Sequence, residues 1–368
     1  MDPRVYWVGF NLVKGIGSVR FKAILDFFGD LQVAWDAPAE SFKEAGLNEK
    51  MINNFLAIRN QVDLEKVWDR IQQKNIKLLT WMDTDYPEML KNIAQPPPVL
   101  YVRGTIIEED NWSVAIVGTR RVTAYGRQVA EELATFLAQN GVTVTSGLAR
   151  GVDAISHQAA LNSNGRTIAV LGSGVDRIYP PEHQKLADQI IESGAIISDY
   201  PPGTPPESTN FPPRNRIISG LSRAVVVVEA GKTSGALITA TFAAEQGKEV
   251  FAVPGNIYAP QSKGTNYLIS QGARPLIEMG EILEILQIQQ TQLFHSVRKI
   301  LPSDDVEAKI LEVITLEPLH IDEIRAKSGL PIEKISASLI MMELKGLVRK
   351  VGPMQYTQLR DESQEYGA

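Results

Sequence analysis

Six short apolar runs punctuate the middle of the chain, at 114–117, 142–145, 167–171, 195–198, 224–228 and 250–253. They are rich in Val, Ile and Ala and lack the in–out alternation of a half-exposed strand. That pattern predicts strands covered on both faces, as parallel strands are. Between them lie 124–139, 152–162, 182–192, 214–221 and 236–246, which read as helical patterns with one buried face. Strand and helix in alternation predict an α/β fold. It is built on a doubly wound sheet, whose ligands bind beyond the carboxyl ends of its strands.

Both ends of the chain follow other patterns. As far as Trp81 the residues read as small helices, and Gly15-Ile16-Gly17 has the tight turn of a helix-hairpin-helix whose amides can face a DNA phosphate. A proline-stiffened connector over 83–98 leads to a strand at 99–104. Past Gly272, a helix over 280–287 runs into the polar Gln289-Gln290-Thr291-Gln292. Helices over 304–315, 321–328 and 332–345, then strands over 347–351 and 354–359, lay out a winged helix. The expected domains are thus a small N-terminal helical one (1–81, helix-hairpin-helix or SAM-like), the Rossmann domain (82–286), a linker (287–303) and a C-terminal winged helix (304–360). An acidic, disordered tail (361–368) closes the chain.

Composition narrows the chemistry. The chain has no cysteine, which removes disulfides and thiolate catalysis and suits a reducing, cytoplasmic setting. The N-terminus lacks a signal-peptide pattern, and no apolar run approaches the roughly 20 residues of a membrane span, so no membrane association is expected. Net charge is −6, yet residues 113–274 hold 14 Lys and Arg against 12 Asp and Glu. A polyanion site therefore belongs in the middle. The winged-helix segment, with 9 acidic and 7 basic residues over 304–359, makes a poor field for duplex DNA.

Four glycine-bearing loops follow predicted strands. Gly118-Thr119-Arg120-Arg121 opens a helix whose free amides and dipole, with two guanidinium groups, suit an anion. Gly147 and Arg150 lie in the second loop, Ser234 in the third and Lys263 in the fourth. The run Asn210-Phe211-Pro212-Pro213-Arg214-Asn215-Arg216 adds an aromatic and two more Arg, a combination suited to phosphates and flat bases. Together these loops predict a phosphate-binding rim. Gly231-Lys232-Thr233 ends like a Walker A loop, but Val226 stands where its leading Gly belongs. Gly172-Ser173-Gly174 has Arg177 in place of the third Gly of a dinucleotide fingerprint. No cofactor is expected. The four His are too scattered for a metal site, and Asp153 with His157 reads as a local helical pair. Glu229, at a strand end, is the one candidate base, or else a salt-bridge partner for a rim Arg.

Several long motifs here are similar to those of the bacterial DNA-processing protein A (DprA/Smf) family. They are Val114-Ala-Ile-Val-Gly-Thr-Arg, Ser146-Gly-Leu-Ala-Arg-Gly-Val-Asp-Ala, Tyr200-Pro-Pro-Gly-Thr-Pro-Pro, Asn210-Phe-Pro-Pro-Arg-Asn-Arg and Phe251-Ala-Val-Pro-Gly. The resemblance spans about residues 80–280; the two ends match more loosely. Pro213 departs from it, standing where the family commonly has a basic residue. The resemblance implies an extended Rossmann-like domain, in a non-enzymatic protein that binds single-stranded DNA, protects incoming strands in natural transformation and loads the RecA recombinase. It also implies a homodimer through the Rossmann domain, and the apolar stretch from Leu276 to Leu286 is a candidate for sharing between subunits. Read from the residues alone, two alternatives stay open. One is a nucleotide-processing Rossmann-like enzyme of phosphoribohydrolase type, and the other is a regulator acting through the winged helix.

Overall fold

The computed structural model describes residues 2–286, 305–314, 318–344, 348–352 and 354–358. The expected linker at 287–303 and the tail at 361–368 lie outside them. The chain divides into two compact units, Met1–Gln287 and Ile288–Ala368.

The first unit is built on one nine-stranded sheet. Its strands are β1 (Lys77–Thr80), β2 (Val99–Gly104), β3 (Ser113–Val117), β4 (Thr143–Ser146), β5 (Thr167–Val170), β6 (Ala195–Ser198), β7 (Ala224–Val227), β8 (Glu249–Ala252) and β9 (Arg274–Pro275). The spatial order is β1-β2-β6-β5-β4-β3-β7-β8-β9. From β6 across to β9 every pair is parallel. β2 joins β6, and β1 joins β2, in antiparallel register. Strands β3 to β7 are buried along their whole length, which is why they read as unbroken apolar runs. From β3 the order runs one way through β4, β5 and β6 and the other way through β7, β8 and β9. The loops after β3 and β7 therefore flank the point where a doubly wound sheet opens a crevice.

In this unit two strands escaped the pattern reading. Lys77–Thr80 lies within the stretch expected to be helical, but it pairs with β2 from Lys77↔Val102 to Thr80↔Val99. Four residues with three buried carry too short a signal to separate from a helix end. β9 has only two residues and exists because β8 offers it a partner.

The N-terminal helices pack on the sheet. Phe10 stacks on Phe55 at 5.1 Å and meets Trp35 edge-on at 5.4 Å, and the same apolar cluster takes in Tyr101, Leu171 and Ile196. A side chain at Gly9 would run into the Trp35 ring, so this helix can approach only with glycine there. Across the join, the Tyr101 hydroxyl donates to Asn11 Oδ1 at 3.0 Å, and Asn11 Nδ2 donates to the Asp199 carbonyl at 3.4 Å.

The second unit has helices Asp305–Val313, Ile321–Ser328 and Ile332–Leu344. An antiparallel three-stranded sheet, in the order Leu319–His320, Gln355–Gln358, Val348–Gly352, completes a winged helix. Ile310, Ile324, Ile335, Leu339 and Tyr356 are among its core residues. Among the described residues, no helix is long and apolar enough to cross a membrane.

Candidate nucleic-acid interface

The loop after β3 is held from behind by Glu229, at the end of β7. Thr119 N donates to the Glu229 carbonyl at 2.7 Å, while the Glu229 carboxylate accepts from Thr123 N at 2.9 Å and from Thr123 Oγ1 at 2.5 Å. Thr123 in turn caps the helix Ala124–Gln139 by accepting from Gly126 N at 3.1 Å. Gly126 is required, since a Cβ there would fall 2.3 Å from the Glu229 carboxyl carbon. Glu229 is 3% exposed. It is neither a base facing a substrate nor a partner for a rim Arg, but the peg that shapes the Gly118–Thr123 turn. Arg120 and Arg121 project from that turn, exposed.

The loop after β4 is gripped on both sides. The buried Asp153 carboxylate accepts from Gly147 N at 3.2 Å and from Ala149 N at 3.3 Å. From the other side Arg214 Nη1 donates to the Gly147 carbonyl at 3.0 Å and to the Val170 carbonyl. Burial pushes the Arg214 guanidinium down to about 10, with the Asp153 carboxylate pulling the other way. Burial likewise raises the Asp153 carboxyl, against the pull of Arg214. The sequence reading made Arg214 a rim cation; the structure puts it in the wall, 5% exposed.

Phe211 opens the helix Phe211–Leu221 rather than sitting on a loop. The two prolines behind it fit the first helical turn, where no amide partner is needed. Its half-buried ring lies 5.8 Å from that of Tyr179, and the guanidinium carbons of Arg120 and Arg214 lie 5.7 and 6.0 Å from its centroid. These four, with Gly147 and Arg150, line most of a small, solvent-open cleft. Arg150 is exposed and paired with Glu182 at 2.5 Å. Tyr179 was missed by the sequence reading; its only signal is an aromatic before Pro180-Pro181 in a connector.

The remaining expected residues are used elsewhere. Arg216 is bound to Asp199 at 2.9 Å, with both side chains mostly buried. Asn215 is buried and donates to the Gly235 carbonyl at 3.2 Å, and Ser234 caps the helix Gly235–Glu245 through Ala236 N. Asn210 faces its own loop, with Nδ2 on the Pro205 carbonyl at 3.5 Å. Lys263 is exposed at the start of the helix Lys263–Ser270.

Residues 77–287 match the family of DNA recombination-mediator protein A, and residues 296–352 match the DprA winged helix domain. The chain belongs to the DNA recombination-mediator protein A family. It is similar to Protein Smf of Synechocystis, 38% identical over 392 residues that cover 96% of this chain and 98% of that one. Protein Smf of Escherichia coli is 37% identical over 93% of this chain and 95% of its own. Among solved structures, DNA processing protein A from Streptococcus pneumoniae superposes with a TM-score of 0.69 at 31% identity, covering 77% of this chain and 98% of its own. The Helicobacter pylori protein, whose structure was described for its single-stranded DNA binding mode, gives 0.52 at 32% identity over 57% and 96%. In this DprA relative the winged helix and the doubly wound sheet expected from the sequence are both present, the sheet extended at one edge by two antiparallel strands.

Proposed function

We propose that this chain is a single-stranded DNA-binding recombination mediator, protecting incoming strands in natural transformation and handing them to the RecA recombinase. One observation carries the DNA reading. At the carboxyl ends of β3, β4 and β5, an aromatic platform of Phe211 and Tyr179 is ringed by Arg120, Arg150 and Arg214, which suits stacked bases between phosphates. The single-strand binding described for the Helicobacter pylori relative supports it. A binding role is favoured over nucleotide hydrolysis because Glu229, the one candidate carboxylate, is committed to Thr123. The winged helix is better suited to a protein contact than to duplex DNA, since its third helix exposes Ile340 and Met341.

The test is a titration of a labelled single strand against the corresponding duplex across a salt series. Single-strand binding should be tighter, with a log–log salt slope near −0.7 per phosphate contacted. Arg120→Ala with Arg121→Ala should flatten that slope by roughly 0.7–1.4. Unchanged affinity and slope in the double variant would remove these two residues from the interface.

We also propose a homodimer through the Rossmann domain. Leu276, Ile282 and Leu286 are buried within their own unit, so the apolar stretch expected to be shared is mostly core. Beside it in the chain, Ile257, Tyr258, Tyr267 and Ile277 remain exposed, in the segments that precede and follow β9. Light scattering should give twice the chain mass for the native protein and the monomer mass for Tyr258→Glu with Tyr267→Glu. A native monomer at micromolar concentration counts against the dimer.

A further inference from the structure

The sheet has a second opening, at the end away from the Arg-lined cleft. Asn111 precedes β3, Ile168 is the second residue of β5, and Leu221 precedes β7. Ile106 follows β2, whose last residue pairs with the first of β6. All four line a cavity of about 370 Å³ at the amino ends of the parallel strands. Strands of this length put it roughly 13–17 Å from the opposite rim. Its volume is in the range of pockets that take a ligand, about 300–1,000 Å³.

The lining carries one sign of charge over an apolar floor. Two stretches of chain, 84–89 and 106–111, form its sides above Ile168 and Leu221, and Pro87, Met89, Ile106 and Ile107 add apolar surface. Asp85 and Glu88 come from the first stretch, Glu108 and Asp110 from the second; among the described residues no Lys, Arg or His lines the cavity. Asp110 is already used, buried against Arg166 at 2.8 Å and accepting from Ile107 N at 2.9 Å. Asp85 is paired with Lys77 in solvent, a bond that a competing cation replaces at little cost. Glu88 and Glu108 are exposed and, among the described residues, make no ion pair. Two cations stand close by without lining it. Arg223 lies over the Trp112 ring at 4.0 Å and donates to the Asn111 carbonyl at 2.8 Å, and Lys248 Nζ is 3.9 Å from Met89 Sδ.

That arrangement repels a nucleic-acid backbone. It fits an apolar group carrying a positive charge on each side, since carboxylates stand on both stretches and apolar surface lies between them. We propose that this cavity is a docking site for a partner protein, taking one apolar side chain of an extended segment that has Lys or Arg on either side of it. The apolar side chain enters above Ile168 and Leu221. The flanking cations meet Glu88 and Glu108 at the mouth, keeping their charged ends in water. The site lies across the sheet from the Arg-lined cleft, so strand and partner can be held together. It stands whether or not that cleft binds DNA.

The experiment follows the anisotropy of labelled nonapeptides, made of Gly and Ser around a central Lys-X-Lys, on the intact chain at physiological salt. With Leu, Phe or Trp at X, at least one peptide should bind about 10-fold tighter than with Ser, the low end for burying such a side chain. Glu88→Gln with Glu108→Gln should weaken that peptide about 2- to 30-fold, as two exposed ion pairs would. The same change at Glu131 and Glu132, on the helix Ala124–Gln139 and outside the cavity, should leave it unaltered. A saturating single strand should not displace the peptide. Equal binding with Ser and with the apolar residues, or equal loss in the two double variants, would reduce the effect to general negative charge and overturn the proposal. Displacement by the strand would move the peptide to the other rim, and hexylamine competing as well as the peptide would make this a small-amine site; either result overturns the docking site. So does binding of none of the peptides.

Discussion

Replacing Phe211 with alanine should weaken single-strand binding about 5- to 150-fold, because stacking on an aromatic is worth on the order of 1–3 kcal/mol per base. The ring is pre-positioned for this. The first turn of the helix Phe211–Leu221 fixes its base, and Tyr179, Arg120 and Arg214 fix its sides. Stacking moves no counterions, so the salt slope should stay where it is. That separates this variant from Arg120→Ala with Arg121→Ala, which should change the slope. Fluorescence anisotropy at several salt concentrations, with a melting curve beside it, reads both. A lowered melting temperature with intact affinity would make Phe211 a packing residue and remove the platform.

Arg214→Ala should cost about 1–3 kcal/mol of stability, the usual penalty for leaving buried polar groups without their partner. The loss has two parts. Asp153 stays buried without its countercharge, and the carbonyls of Gly147 and Val170 lose their donor. A small side chain does not replace the guanidinium that Gly147 was shaped to admit; a Cβ at Gly147 would sit 2.5 Å from Arg214 Nη1. Urea unfolding of Arg214→Ala, Asp153→Ala and the double variant tests this. The double variant should be less destabilised than the two single losses added, since the second change removes the charge that the first left unpaired. Strict additivity, or an Arg214→Ala protein as stable as the native one, would show that the two groups act independently.

The two predictions mark the line between what the chain states locally and what folding adds. The strands β3 to β7 were legible because both faces of each are buried, leaving apolar residues with no alternation to blur them. The helices Ala124–Gln139 and Val152–Asn162 were legible to the residue. The winged helix was legible in outline, with the helix Ile321–Ser328 and its stop at Gly329 read to the residue, while the strand Leu319–His320 was not expected. Strand ends bearing Gly and Arg lie on the rim that carries the cleft, because doubly wound sheets place their loops there whatever those loops contain.

What each polar side chain does on that rim was settled only by contacts between distant parts of the chain. Arg214 and Arg120 look alike in sequence, but the first is sealed against carbonyls 67 and 44 residues away while the second stands in solvent. Glu229 looked like a free acid at a strand end and is a peg for Thr123, 106 residues earlier. Arg216 is absorbed by Asp199, and Tyr179, with no motif around it, is brought to Phe211 by the packing of its connector. β1 became a strand because β2 offered it an edge. The sequence by itself determined the helices and the strands buried on both faces, and where the crevice opens, since these depend on local periodicity and on the handedness of parallel crossovers. The tertiary structure alone decided which charges remain free to meet a ligand, because burial and pairing depend on neighbours that sequence order does not reveal.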